Sequence, residues 1–176
     1  MVGKVLKGFI SEDVLKVFHE YSGIKARTKH SYSEASKQWT TFFEPGIGYC
    51  VDIAGHDPFG QSLLMVYLPK ISEILGLELG PVASFYRIYG PECKLPMHID
   101  DPNYEWSATI NMGYEAPECW PIFIEEKPFY LEPGDCLLYQ GAKHEHGRRI
   151  FNGAWQSQLF LHYKEVKNEK DGQKDS

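Results

Sequence analysis

The pattern of apolar and polar positions changes character about halfway along the chain. In the first half the spacing is helical: Val14, Val17, Phe18 and Tyr21 recur at i, i+3, i+4 and i+7. Ser11 stands before them as an N-cap, and Glu12 and Asp13 suit the positive end of a helix dipole. A second helical run holds Leu63, Leu64, Tyr67 and Leu68, then Ile71, Ile74 and Leu75. Asp57-Pro58 provides its cap and first position, Pro69 is expected to divide it into two pieces, and Gly76 ends it. Between the two runs, residues 22–56 carry Gly, Pro and scattered aromatics with no clear period; the region reads as loop-rich, and no element is placed in it.

From Pro81 onward the period shortens. The runs 83–89, 95–100, 106–112, 120–124, 136–140 and 155–163 have strand texture, and Gly90-Pro91, Asp101-Pro102-Asn103 and Pro133-Gly134-Asp135 punctuate them. Many short strands at close spacing predict an antiparallel sandwich or barrel, with the N-terminal helices packed outside one sheet. The fold class is therefore mainly β with N-terminal helices. One domain is expected over 1–165, with 166–176 as a disordered polar tail.

Composition narrows the function classes. A chain of 176 residues suits a single core, and a net charge of −6 argues against a nucleic-acid surface. No run approaches about 18 consecutive apolar residues, so no membrane span is expected. The N-terminus lacks an apolar leader core and a small-residue cleavage site. The four cysteines, Cys50, Cys93, Cys119 and Cys136, show no CxxC spacing and are expected to stay reduced. These features predict a cytoplasmic protein, and no pattern fixes its oligomeric state.

The chemistry concentrates in "PMHIDDP", residues 96–102. One residue separates His98 from Asp100, so on an extended chain both side chains point to one face, while Asp101 points away. A third ligand would complete a metal centre. Among the seven histidines, His19, His30 and His56 lie in the helical or loop-rich half, and His162 lies in an apolar strand as a candidate core residue. The remaining pair, His144 and His146 in "AKHEHGRR", directly follows the strand "CLLYQ". Two imidazoles and one carboxylate on a sheet face, with other positions open, match the facial triad of non-haem iron(II) oxygenases.

Residues from about 81 to 163 resemble the iron(II)/2-oxoglutarate-dependent dioxygenases, particularly the small prolyl-4-hydroxylase-like group. The matching stretches are "SFYRIYGPECKLPMHIDDP", "SATINMGY", "WPIFIE", "LEPGDCLLYQG", "HEHGRR" and "WQSQLFLHY"; the opening "LKGFISEDVLKVFHEY" also resembles that group. The resemblance implies a double-stranded β-helix, a jelly-roll variant with iron at its open end. By position it implies His98, Asp100 and His146 as metal ligands, with His146 preferred over His144. The implied cofactors are Fe(II), 2-oxoglutarate and O2. The implied reaction hydroxylates a C–H bond of a peptidyl (prolyl among them) or small amino-acid-like substrate and releases succinate and CO2. Asp101, Glu105 and Glu145 are candidates to orient the imidazoles, against plain solvation as the simpler expectation.

The pattern departs from the family at one place. Members usually carry an arginine or lysine on the final strand, about ten residues after the distal histidine, to hold the far carboxylate of 2-oxoglutarate. Here that position is Gln156, a neutral donor at best. Arg87 is the first replacement, because it shares parity with Phe85 and Tyr89 on a strand, and a guanidinium beside a phenol binds a carboxylate well. Asn111 corresponds to a position that donates to the same carboxylate, and Arg148 and Arg149 are reserves. Tyr104 and Trp106 are candidates for the pocket mouth; Trp120, Trp155, Phe123 and Phe160 read as core. The missing basic residue at 156 supports an alternative, a cupin-like jelly roll that binds metal or a small acid without oxygenase activity.

Overall fold

The computed structural model describes residues 2–36, 42–44, 46–53 and 57–166. In chain order the elements are β1 (Lys4–Leu6), α1 (Glu12–Ser36), β2 (Phe42–Glu44), β3 (Gly48–Ile53), α2 (Pro58–Leu75), β4 (Leu79–Tyr89), β5 (Leu95–His98) and β6 (Trp106–Glu115). They continue with β7 (Ile122–Ile124), β8 (Lys127–Phe129), β9 (Cys136–Tyr139), β10 (His146–Arg148) and β11 (Trp155–Glu165). The strands form a seven-stranded sheet in the order β1-β9-β6-β11-β4-β3-β2 and a four-stranded sheet in the order β5-β10-β7-β8. Their pairings are antiparallel throughout. This is the expected mainly-β jelly-roll core, with both helices against one sheet.

Strand parity divides the large sheet into two faces. Leu159, Leu161 and Tyr163 of β11, Tyr86 of β4, Ala108, Ile110 and Met112 of β6, and Cys136 and Leu138 of β9 form one core with Phe18, Leu63, Leu64 and Ile71 of the helices. Alternate residues face the small sheet. There Leu137 and Tyr139 of β9 pack with Ile122, Ile124 and Phe129, and Tyr89 and Phe160 pack with Trp120 and Phe151. Covered on both faces, β11 is buried from Gln156 to Tyr163 although five of those eight side chains carry a polar atom.

Helix α2 has the caps that its sequence announces. Asp57 is the N-cap and accepts from the Phe59 and Gly60 amides, Pro58 follows it, and Gly76 closes the helix at φ 66° in the left-handed region. The Tyr21 hydroxyl also donates to Asp57 Oδ2 at 2.5 Å, which ties α1 to the start of α2.

Four expectations are corrected. Among the described residues the loop-rich stretch after Ser22 is mostly regular: α1 runs on to Ser36, and β2 and β3 extend the large sheet beyond β4. Gly23 and the thinning apolar pattern hide the second half of α1, since helix formation there is not written as an amphipathic stripe. Pro69 does not split α2. It and Met65, whose carbonyl it deprives of a donor, both lie on the solvent side, where water can satisfy that carbonyl. The predicted strand 95–100 ends at His98, and the run expected at 120–124 starts as a strand only at Ile122.

Cys119 and Cys136 are free thiols. Among the described residues no helix is long and apolar enough to cross a membrane. The expected disordered tail lies, from residue 167 on, outside the described residues.

Candidate active site

The site forms where β5 and β10 pair across the small sheet. Their register sets His146 directly opposite His98, and the ring centroids are 4.3 Å apart. Gly147 between the inward residues of β10 permits this approach, because a Cβ there would meet the Leu95 and Pro96 carbonyls and Met97 Sδ within 3.0 Å. Asp100 lies just past β5, where its amide donates to the Gly141 carbonyl at 3.0 Å. Asp100 Oδ1 is then 3.5 Å from His98 Nε2 and 3.4 Å from His146 Nε2. One ligand atom from each residue lies within 4.8 Å of the others.

Backbone carbonyls orient both rings. Pro96 O is 2.9 Å from His98 Nδ1, and His144 O is 3.0 Å from His146 Nδ1. An imidazole whose Nδ1 donates to a carbonyl turns Nε2 toward Asp100, where it can share a proton with the carboxylate or, once deprotonated, bind a metal. The expected carboxylate orienters have other partners. Asp101 closes a turn onto Asn103, Glu105 accepts from the Glu165 amide, and the Glu145 carbonyl accepts from the Glu125 amide. His144 pairs with Glu125 at 2.9 Å and stays outside the cluster.

Asp100 is held from behind. Its Oδ2 accepts from Ser107 Oγ at 2.8 Å, and Ser107 in turn meets His162 Nδ1 at 3.0 Å. Burial alone would raise the Asp100 carboxyl, but hydrogen bonds from His146 and His98 outweigh it and hold the group well below the usual carboxylate range. The hydrogen bond with Asp100 raises His98 above its ordinary value against the opposing effect of burial. The trio is thus a carboxylate flanked by two imidazoles, a donor set suited to a divalent cation.

A cavity of about 420 Å³ opens beside this cluster, with Phe85, Arg87, Tyr89, Tyr139, Phe160 and His162 in its wall. Arg87 faces inward with Phe85 and Tyr89, as strand parity requires, and lies over the Tyr89 ring at 5.7 Å. Tyr104 stacks on His162, whereas Trp106 faces the helices and donates to Glu165. Asn111 is fully buried but does not border the cavity; its amide donates to Leu131 O and accepts from the Gly113 amide. Gln156 is buried too, and its unmet atom is the acceptor Oε1, which a carboxylate repels.

Arg148 shares the inward face of β10 with His146 and is 4% exposed. Its Nη1 donates to Trp120 O at 2.6 Å, and its guanidinium stacks on the Trp120 ring at 4.9 Å. Its Nε and Nη2 have no hydrogen-bond partner among the described residues. Burial pulls its pKa down to about 10, still charged at neutral pH, and its electrostatic neighbours are Tyr89, Tyr139 and Cys119 rather than any carboxylate. A buried cation without an anion is costly, and its two unmet donors suit the two oxygens of a carboxylate. The residues present therefore fit both a metal and an acidic cosubstrate. Ser107, Tyr139 and His162 are the site residues that sequence patterns leave unmarked.

No family model and no curated protein matches the chain. Solved structures do. A viral collagen prolyl hydroxylase from Paramecium bursaria Chlorella virus-1, in complex with 2-oxoglutarate, is similar over 94% of this chain and 97% of its own, with a TM-score of 0.67 at 8% identity. HygX from Streptomyces hygroscopicus, with nickel and 2-oxoglutarate bound, is similar over 92% of this chain and 82% of its own, at TM-score 0.65 and 11% identity. A prolyl-4-hydroxylase from Pseudomonas putida covers 94% of this chain and 93% of its own, at TM-score 0.63 and 14% identity. At these identities the likeness is one of fold, and the chain has the jelly-roll architecture of these proteins.

Proposed function

We propose that this protein is an iron(II)- and 2-oxoglutarate-dependent oxygenase that hydroxylates a C–H bond of a peptidyl or small amino-acid-like substrate. The observation that carries this reading is the convergence of His98 Nε2, His146 Nε2 and an Asp100 carboxylate oxygen within 4.8 Å, with both Nδ1 atoms held by carbonyls. Such a set leaves other coordination positions open, as iron(II) oxygenases need. When bound, the metal and 2-oxoglutarate supply the oxidation, which yields hydroxylated product, succinate and CO2. The protein's part is to bind, orient and exclude water. Two neighbours in fold carry 2-oxoglutarate, and two are prolyl hydroxylases, which supports a prolyl or other peptidyl substrate among the candidates.

Arg148 is the anchor for the far carboxylate of 2-oxoglutarate in this reading. It sits two residues from His146 on one inward face, about 6.6 Å along a strand, a span that suits a five-carbon diacid. Its unmet Nε and Nη2 offer a paired contact, with the Tyr139 phenol nearby on the cavity wall. Arg87, which lines the cavity directly, whereas Arg148 lies behind its wall, is the second candidate. With Arg148 in this role the neutral residue at 156 no longer argues for a jelly roll without oxygenase activity.

The test is spectroscopic and catalytic. Anaerobic addition of Fe(II) and 2-oxoglutarate should produce a visible charge-transfer band, and admission of air should yield succinate. His146→Ala should abolish both while His144→Ala keeps them. Absence of the band together with absence of succinate in the wild type overturns the proposal.

A further inference from the structure

One polar group in the cavity wall has no task in the reaction so far. His162 is 3% exposed and lies between Tyr104 and Phe85, with ring centroids 4.1 and 5.5 Å away and planes inclined by 19° and 21°. Its Nδ1 meets Ser107 Oγ at 3.0 Å, and the same oxygen lies 2.8 Å from Asp100 Oδ2. A serine hydroxyl has a single proton to give. The ionised Asp100 carboxylate can only accept, so the Ser107 proton points to Asp100. The lone pair of Ser107 must then receive the N–H of His162 Nδ1, which fixes the imidazole tautomer.

The consequence falls on the other nitrogen. A neutral ring protonated at Nδ1 has a bare Nε2, and this Nε2 is buried without a hydrogen-bond partner among the described residues. Burial lowers the His162 pKa to about 4, so the ring is neutral at pH 7. Of the three reactants, only the primary substrate can donate a hydrogen bond to this atom. At neutral pH 2-oxoglutarate has only acceptor oxygens, and dioxygen has no proton to donate.

We infer that His162 Nε2 is a fixed acceptor for an N–H or O–H group of the primary substrate, with Ser107 locking its tautomer and positioning Asp100 at once. This rests on the cavity being the oxygenase site. It assigns the substrate class: a molecule with an amide, amine or hydroxyl donor close to the oxidised carbon, held in the cavity that Phe85 and Phe160 help to line. A purely hydrocarbon segment would leave the acceptor unmet.

The experiment uses full-length protein, ¹⁵N-labelled at histidine and loaded with Zn(II) and 2-oxoglutarate, so that no turnover occurs. Long-range ¹H–¹⁵N correlation should show His162 protonated at Nδ1 and bare at Nε2. Ser107→Ala should release that tautomer into a mixture. N-methylacetamide, a one-donor probe, should shift the Nε2 resonance, and N,N-dimethylacetamide, which has no donor, should not. A wild-type ring protonated at Nε2, no response to N-methylacetamide, or an equal response to both amides overturns the inference. Zinc uptake is read separately from His98 and His146; if they ignore zinc, the oxygenase reading fails while the tautomer result stands.

Discussion

Gly141 has no side chain because Asp100 and Ser107 occupy its space. A Cβ there would collide with Asp100 Oδ2 and Ser107 Oγ, while the Gly141 carbonyl holds the Asp100 amide. Gly141→Ala should therefore displace the carboxylate and weaken divalent-metal binding roughly 10–100-fold, as loss of a ligand's support commonly does. Calorimetric titration with Mn(II) checks this; unchanged affinity in a folded variant would refute the role. Removing the cation at Arg148 should act on the cosubstrate instead. Arg148→Met should weaken 2-oxoglutarate binding about 30-fold or more, in line with the ~2–5 kcal/mol lost with one partner of a buried charge pair, and leave metal affinity nearly unchanged. Arg87→Met should do less; the reverse order would return the anchor to Arg87. At this scale HxD and the later histidine pair pointed to the three residues whose ligand atoms the fold brings within 4.8 Å of one another. Arg87 ranked first from parity alone, because no pattern reveals which of two inward arginines lacks partners.

Elements were legible where one face is wet and obscure where both are covered. Alternating Gln158, Phe160 and His162 against Leu159, Leu161 and Tyr163 looks in sequence like a polar face and an apolar face. In the fold the first set lines the space between sheets and the second packs on the helices, so the polar side is the functional interior. The three-residue strands β1, β8 and β10 were missed, since a strand so short has no period to read and exists only through its partners. β1 is fastened by Asp135, which takes Lys7 Nζ at 2.6 Å and the Gly8 and Glu132 amides. Burial raises the Asp135 carboxyl, yet these donors outweigh it and leave its pKa lowered. A carboxylate with a depressed folded pKa adds stability above its unfolded value, near 4, and loses it as pH falls toward the folded one. Asp135→Asn should thus destabilise the protein clearly at pH 7, with the gap from wild type narrowing below about pH 4. Urea melts at several pH values would show it, and a gap that widens in acid would contradict it.

At the scale of the whole molecule, helices cover only the large sheet, and the small sheet is joined to it by core side chains and by the site itself. His98 and His146 belong to the small sheet, whereas Asp100 is tied through Ser107 to the large one. A cation held at the trio would be a rivet between two plates as well as a reagent. Empty, the plates can part at that rim by local opening; loaded, they open only as often as the ion leaves. Hydrogen exchange should then slow on Zn(II) addition at the amides of β5 and β10, with much smaller change in β6 and β11. Uniform slowing, or none, would show that the rim is already closed. The same fastening would link supply of metal to lifetime of the protein, because a chain without an ion at the trio would also be the one whose seam a protease could enter.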